Sequence, residues 1–315
     1  MPSHDPPPPP HRIALTGASG FLGRYLLRAA RKRGLEVVAV VRNPAKLDDV
    51  RGREGIHIRQ ADLSDKEALV RAFEGCDAVI SNAALIALGT KSRAQLVAAN
   101  RNGTQNVFEA IKHAGIRRAV VTSSVAAYRQ QRYGHRYSES DPLWQEQDRV
   151  GHFRSYAMSK ALAEAEAWRL AERFGIALST SRPSNIYGAG DPVGIGLWLR
   201  RLMRVPALSV VPRRFCIAPV YAGDVAEAMI AMLERPQSCG RSYNLCGDDN
   251  VSMWQLYEGY RDAGGTVPRR VLPLSLPVTY RYDITAACQD LDFVNRSARD
   301  AFAETLALEV GAEPR

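Results

Sequence analysis

Tyr156 and Lys160 lie four residues apart in RSYAMSKALAEAE (154–166), which reads as the start of an alanine-rich helix. On a helix that spacing puts a phenol and an ammonium on one face, one turn apart. A free tyrosine has a pKa of about 10 and is a poor acid or base at neutral pH. A neighbouring ammonium stabilises the phenolate and brings proton transfer within reach. The same spacing also describes an ordinary amphipathic helix with one solvated lysine. The position of the helix separates the two readings. It is the next helix after IRRAVVTSS (116–124), an apolar run ending in Ser123 and Ser124, whose hydroxyls could orient a substrate oxygen beside the phenol.

These elements belong to a longer alternation. RIALTGAS (12–19), LEVVAVVR (35–42), IHIRQADL (56–63), DAVISNAA (77–84), IRRAVVTSS and IALSTSRP (176–183) are apolar runs of strand length. Helical patterns separate them, among them GFLGRYLLRAARKRG, closed by Gly34, and AQLVAANRNGTQNVFEAIKHAG. Continuous apolar strands alternating with helices predict an α/β fold, a doubly wound parallel sheet of Rossmann type covered on both faces. Ligands of such sheets sit at the C-terminal strand ends, beside the first turn. That rule singles out Gly17 to Gly23, Arg42, Asp62, Asn82 to Ala84, Ser123, Ser124 and Pro183 to Asn185. Residues 12–183 are expected to form this domain, with the chain returning to it at about 216–247. Residues 184–215 and 248–310 have shorter elements and more prolines, and should make a smaller substrate-binding lobe over the strand ends.

Composition narrows the function classes. A 46% hydrophobic fraction with 24% charged residues is that of a globular chain, too apolar for a disordered one. The start, MPSHDPPPPPHR, is polar and proline-rich, so residues 1–11 are expected to be a disordered tail and not a signal peptide. No apolar run is long enough to span a bilayer. The five cysteines show no CxxC, and no histidine lies at metal-ligand spacing, so they read as reduced thiols of a cytoplasmic protein without a metal site. The formal charge of +9 is spread along the chain, mostly on arginines, with no dense block that would mark a nucleic-acid surface.

The turn after the first strand, TGASGFLG, carries Gly17, Gly20 and Gly23 and opens a helix. Gly17 permits the tight turn, Gly20 lets the backbone approach a pyrophosphate, and Gly23 lets the helix pack closely on the strand. With glycine at roughly 7% of residues, this spacing alone arises by chance; its place after the first strand gives it meaning. An NAD site commonly has a carboxylate ending the second strand, to bind the ribose hydroxyls. Here that position reads VVRNPAK, with Arg42 and then Lys46. A guanidinium there can clamp a 2′-phosphate, which favours NADP over NAD. Asp62 is placed to accept from the adenine amino group, and Asn82, Ala83 and Ala84 let the backbone lie close to the adenosine side.

Taken together, the ordered set resembles the extended short-chain dehydrogenase/reductase family, also called the NAD-dependent epimerase/dehydratase family. The resemblance runs from about residue 12 to 308. It is carried by TGASGFLG (16–23), ADL (61–63), NAA (82–84), NRNGTQNV (100–107), TSSVAAY (122–128), YAMSK (156–160), RPSNIYG (182–188), PVYAGDVAEAM (219–229) and YNLCG (243–247). It implies Tyr156 as proton donor or acceptor, Lys160 as its partner and holder of the nicotinamide ribose, and Ser124 as the catalytic serine, with Ser123 the alternative. Gly17, Ser19, Gly20, Phe21, Leu22, Gly23, Asp62, Leu63 and the NAA segment fall on its dinucleotide positions. Asn100 takes a supporting role beneath the site, and Pro183, Ser184 and Asn185 shape the nicotinamide pocket. A homodimer is compatible with the family.

Family members either interconvert a carbonyl and an alcohol, or epimerise and dehydrate nucleotide sugars with a tightly held NAD. Arg42 favours NADP, and so net redox turnover. Sugar-nucleotide members carry an arginine before the VDDVA-like segment; here Ile217 and Ala218 stand at that place, although Arg213 and Arg214 could substitute. Asn185 matches an asparagine of sugar-nucleotide enzymes and argues the other way. The apolar stretch GIGLWLRRLMRVPALSVVP (194–212) is either a helix packed on the sheet or a pocket lining suited to an apolar or aromatic ketone or alcohol. Residues 129–154 should cover the substrate, with His135 and His152 as surface residues. The reading is an NADP-dependent oxidoreductase acting on a small-molecule ketone or secondary alcohol. The rivals are an NAD-dependent nucleotide-sugar epimerase or dehydratase, and a non-catalytic dinucleotide sensor, a class that tends to lose the Tyr or Lys kept here.

Overall fold

In the computed structural model of the chain, residues 8–85, 92–148, 154–192, 194–196, 198, 208–247 and 251–309 are described. The first half runs β1 (Arg12–Thr16), α1 (Phe21–Lys32), β2 (Glu36–Val41), β3 (Ile56–Gln60), α2 (Lys66–Phe73), β4 (Ala78–Ser81), α3 (Arg93–His113) and β5 (Arg118–Thr122). Then follow β6 (Arg136–Tyr137), α4 (Ser155–Phe174), β7 (Ala177–Pro183), β8 (Ile186–Tyr187), β9 (Leu208–Pro212), β10 (Phe215–Cys216) and β11 (Val220–Tyr221). After the helix Ala222–Glu234 come β12 (Arg241–Leu245), the helix Met253–Asp262, β13 (Arg270–Leu274), β14 (Val278–Thr279) and β15 (Arg281–Tyr282). The helices Thr285–Leu291 and Ala298–Glu309 close the described chain.

Seven strands form one parallel sheet in the order β12-β7-β5-β4-β1-β2-β3, the doubly wound architecture expected from the alternation. The strand order reverses between β1 and β4, which places a crevice at their C-terminal ends. Alternation along the strands feeds two cores. Ile13, Leu15, Val37, Ala39, Ile80 and Val120 pack against α1 and the helix Ala222–Glu234. Ala14, Val38, Val40, Val79 and Ala119 pack against Leu69, Phe73, Val107, Phe108 and Ile111 of α2 and α3. Burial on both faces explains why these strands read as unbroken apolar runs.

The remaining strands pair in twos, all parallel: β6 with β15, β8 with β11, β9 with β13, and β10 with β14. Each joins a segment between residues 136 and 216 to one further along the chain. Of the apolar stretch 194–212, residues 195, 196 and 198 are helical and the end is strand β9, a switch of period that its continuous apolarity concealed. Residues 193, 197 and 199–207, and most of the proline-rich tail (1–7), lie outside the described residues.

Helix α1 starts at Gly20, whose extended backbone provides no side-chain cap, and no acidic residue stands in its first turn. Its last turn carries Arg31 and Lys32, which suit the negative end of the helix dipole. The helix can lie this low only because Gly23 has no Cβ: one built there would stand 2.1 Å from the Gly17 carbonyl oxygen and 2.9 Å from Ala18 backbone atoms. Relieving that overlap means moving backbone, a cost of roughly 1–3 kcal/mol. We expect Gly23→Ala to lower unfolding stability by that amount in denaturant titrations, whereas Gly34→Ala, open around its Cβ position, should be limited to the strain of its positive φ.

Candidate active site

The crevice between β1 and β4 is framed by backbone. Gly17 has φ +69°, and a Cβ there would stand 3.0 Å from the amide nitrogen and Cα of Ala83. Thr16 Oγ1 accepts hydrogen bonds from the amides of Asn82 and Ala83, both 3.1 Å, tying the two strand ends together. Asn82 in turn accepts from Thr122 Oγ1 at 3.1 Å, which links β4 to β5. Gly17, Gly20 and the start of α1 therefore offer close backbone, N–H groups and a positive dipole end, and these fit a dinucleotide pyrophosphate. Phe21 leans edge-on against Tyr25, with centroids 5.7 Å apart. Leu22 is buried in the core, so only its backbone is left to meet a phosphate, and Ser19 is half-buried on the turn.

At the far end of the crevice Arg42 lies 3.8 Å from Asp62, and both are solvent-exposed. Asp62 also accepts from the Ser64 hydroxyl (2.7 Å) and amide (2.9 Å). These bonds, with a smaller contribution from Arg42, hold its carboxyl below the ordinary aspartate value. Lys46, exposed in the turn of helix after β2, gives its carbonyl to the Arg24 guanidinium at 2.6 Å, so a second arginine stands beside the strand end. Sequence reading did not single out Arg24, since it is one of many helical arginines. The Leu63 carbonyl accepts from Asn106 Nδ2 (2.8 Å), fixing the loop after β3 to α3.

The chemistry-bearing residues meet beyond β5. Ser124 caps a short helical turn through the Ala126 amide (3.1 Å), and its hydroxyl stands beside the Tyr156 phenol. Tyr156 is half-buried; burial raises its pKa above the ordinary tyrosine value, and the neighbouring Ser124 hydroxyl acts in the opposite direction. One turn along α4, Lys160 is buried and donates to the Thr122 carbonyl. Burial pushes its pKa down to about 8, opposed by the charge of Glu164. Lys160, Glu164, Ser123, Asn100 and Thr104 line a cavity of about 20 Å³. The Ser123 hydroxyl is buried there with no hydrogen-bond partner. A separate open hollow of about 510 Å³ at the β12 edge, lined by Trp168 and Arg241 among others, shares no residue with it.

Asn100 holds the segment after β4: it accepts from the Leu85 amide (2.8 Å), donates to the Leu85 carbonyl (3.2 Å) and donates to Ser159 Oγ (3.1 Å). Pro183 ends β7. Ser184 bonds to the Ala218 carbonyl, and Asn185 Nδ2 to the Ile217 carbonyl at 2.9 Å. Those bonds tie the β7 end to the segment whose missing arginine was noted above. Ala218 there holds φ +48°, a backbone state L-residues seldom adopt. Of the two histidines of the 129–154 insertion, His135 pairs with Asp141 at 3.0 Å, while His152 lies outside the described residues. The chain therefore brings Ser124, Tyr156 and Lys160 together on one side of the crevice, and Arg42 with Asp62 on the other. Among the described residues no cluster of His, Cys, Asp or Glu could hold a metal ion, and no helix is long and apolar enough to cross a membrane.

The NAD dependent epimerase/dehydratase family matches residues 13–246. Tetraketide alpha-pyrone reductase 1 of Arabidopsis thaliana is 26% identical over 313 residues, covering 94% of each chain. Cinnamoyl-CoA reductase 1 of the same plant is 28% identical over 241 residues, 73% of this chain and 68% of its own. The solved yeast methylglyoxal/isovaleraldehyde reductase Gre2, complexed with NADPH, superposes with a TM-score of 0.78 at 17% identity, over 95% of this chain and 98% of its own, a likeness of fold.

Asn100 is the joint of this arrangement most open to test. Asn100→Ala leaves the Leu85 amide and carbonyl without their side-chain partner in a partly buried place, and we expect a loss of roughly 1–3 kcal/mol in denaturant unfolding. Asn100→Asp, which keeps the acceptor for the amide, should lose less.

Proposed function

From a chain that belongs to the NAD dependent epimerase/dehydratase family and is an NAD(P)-dependent oxidoreductase, we propose a finer reading: NADP-dependent interconversion of a ketone and a secondary alcohol on a small apolar or aromatic substrate. The observation that carries it is the Ser124 hydroxyl standing beside the Tyr156 phenol, with the Lys160 ammonium one helical turn away at the end of β5. The relatives named for tetraketide alpha-pyrone and for cinnamoyl-CoA are both reductases, which supports net redox turnover over epimerisation.

When bound, the nicotinamide supplies or takes the hydride. The chain does the rest. Ser124 donates to the substrate oxygen and holds it against Tyr156. Tyr156 gives that oxygen a proton as the carbonyl is reduced, or removes it in the reverse direction. A phenol whose pKa is raised by burial is well kept as a proton donor at neutral pH. Lys160 provides the positive charge that stabilises the phenolate left behind, and its remaining N–H groups are available to a ribose. Ser123 remains the alternative to Ser124, since its hydroxyl is buried near Lys160.

Arg42 decides the cofactor in this reading. Its guanidinium is exposed beside Asp62, able to meet a 2′-phosphate, with Lys46 close in sequence. Within 184–215 and 248–310, the described residues 184–192, 208–215 and 251–309 supply the substrate lobe over the strand ends.

Tyr156→Phe should lower turnover by about 10²–10⁴-fold while cofactor affinity is preserved; a rate equal to wild type would remove Tyr156 from the chemistry. A charge-assisted contact of about 1.5–3 kcal/mol at Arg42 means that Arg42→Ala should weaken NADPH binding by roughly ten- to a hundredfold and NADH binding little, by fluorescence titration. Equal effects on both would refute the cofactor preference, and a copurifying cofactor that does not exchange with NADPH would favour an epimerase or dehydratase.

A further inference from the structure

Two buried charges lie beyond Lys160 that the reaction described so far does not use. Glu164 is one more turn along α4, so Tyr156, Lys160 and Glu164 share one helix face at intervals of four. The Glu164 side chain is 0% exposed, and that of its partner Arg182, on β7, is 5% exposed. Arg182 reaches Glu164 Oε1 through Nη2 at 2.7 Å and through Nε at 3.0 Å, with Nε also 3.2 Å from Oε2. Thr180 Oγ1 adds a bond of 3.0 Å. The other guanidinium nitrogen donates to the Tyr128 hydroxyl (3.0 Å) and the Glu139 carbonyl (2.9 Å), both neutral acceptors. Glu164 is thus the carboxylate that compensates Arg182, and it lines the same 20 Å³ cavity as Lys160.

Resting on the proposed function, we propose that Glu164 is a positioning residue for that reaction: its carboxylate is the counter-charge that keeps buried Lys160 an ammonium, and Arg182 holds that carboxylate back so that the lysine's N–H groups stay free for the Thr122 carbonyl and the cofactor.

The surroundings leave no other group for the task among the described residues. On its own helix Lys160 faces Tyr156 and Glu164. From β7 come Arg182 and Thr180. The cavity walls contributed by α3, β4 and β5 are neutral: Asn100 and Thr104, Ser81, and Thr122 with Ser123. Burial works against every charge here. It would raise the Glu164 carboxyl, yet the charge and hydrogen bonds of Arg182, with the bond from Thr180, bring it below the ordinary glutamate value, so it is ionised at neutral pH. Burial lowers Lys160 to about 8, and Glu164 opposes that fall. The ammonium is present below pH 8 and lost as the pH rises through it. Without the Glu164 charge, an uncompensated guanidinium faces a desolvated ammonium, and the loss moves to lower pH.

The division of labour between the partners has a geometric basis. A glutamate four residues after a lysine could swing onto it as an ordinary helix pair. Here three bonds from one guanidinium and one from Thr180 fix the carboxylate toward β7. Lys160 takes the benefit of the charge across the cavity while spending its hydrogen bond on β5.

The test reads the lysine itself. The full-length protein, with and without NADPH, is labelled with [¹³C-ε]lysine; the chain has six lysines, and Lys160→Met identifies the signal. In Glu164→Gln the Lys160 midpoint should fall by at least about one pH unit, and the alkaline limb of kcat/KM should fall with it. Glu164→Gln with Arg182→Met removes both buried charges together, which avoids leaving either unpaired, and should return both midpoints most of the way to wild type. A purely structural ion pair predicts altered stability with the Lys160 midpoint unmoved, and that result overturns the inference even where Tyr156→Phe abolishes turnover. A midpoint that moves without the kinetic limb following also overturns it. A midpoint that moves as expected while Tyr156→Phe keeps full turnover sinks the proposed function and leaves the Glu164–Lys160 coupling standing.

Discussion

Gly17, with φ +69°, approaches Ala83 so closely that a side-chain carbon there would press on the Ala83 backbone at 3.0 Å, and this contact sets the geometry of the crevice. It comes from the sheet order, because β1 and β4 are neighbours whose following segments leave in opposite directions. Thr16 turns the approach into a fixed distance by accepting both amides of the departing chain. Helix α1 then needs Gly23 to lie low over the turn, and its N-terminus is presented to the same space. Asn82 carries the constraint on to Thr122 and so to β5, at whose end Ser124 stands. The binding turn and the proton-transfer group are therefore spaced by one continuous run of contacts, in which the short side chains of Thr16, Asn82 and Thr122 tie neighbouring strand ends together.

The sequence made some of this legible and hid the rest. Gly17 and Gly23 could be read because one holds a positive φ and the other a place with no room for a Cβ, demands that glycine meets best. Tyr156 and Lys160 could be read because a helix converts a spacing of four into a shared face. Strands buried on both sides announced themselves as unbroken apolar runs, and the parallel sheet followed. Glu164 lay on the same face at the next interval, a signal that was present but passed over, because a glutamate in an alanine-rich helix looks like solvent-facing charge. Arg182 had no such signal. Its meaning depends on Glu164 across a turn and on Tyr128 from another strand end, pairings created by tertiary packing. The two-stranded pairs were equally hidden, since each joins short segments far apart in sequence with no periodicity of their own.

The buried polar groups explain how α4 is locked against the sheet. Arg182 touches Glu164 on one side and Tyr128 on the other, with its guanidinium 5.0 Å from the Tyr128 ring centre. Tyr128 donates to Asn244 Oδ1 at 2.7 Å, and the Asn244 amide donates to Glu139 Oε1 at 2.9 Å. The Tyr128 hydroxyl is pushed up by burial, so it serves as a neutral donor and acceptor in this chain of bonds. Each member is satisfied by the next, and an isolated charge in this interior would be costly. The apolar core holds α4 in place, and the polar chain fixes its rotation, turning Tyr156 and Lys160 toward β5.

Strand β12 gives this arrangement a time order. It pairs with β7 so that Asn244 lies opposite Arg182, and Ser242 bonds Thr180 at 2.8 Å. Every one of those partners arrives about 60 residues or more after the groups it covers, and Asn244 comes 116 residues after Tyr128. Contacts this distant in sequence close late, because the loop entropy must be overcome first. Without residues 241–245 in place, Glu164 and Arg182 would lie beneath an open sheet edge, within reach of water. The lysine's electrostatic surroundings are thus completed by a strand that takes no part in the chemistry, and a nascent chain that has made every reacting residue still lacks the dry interior they require.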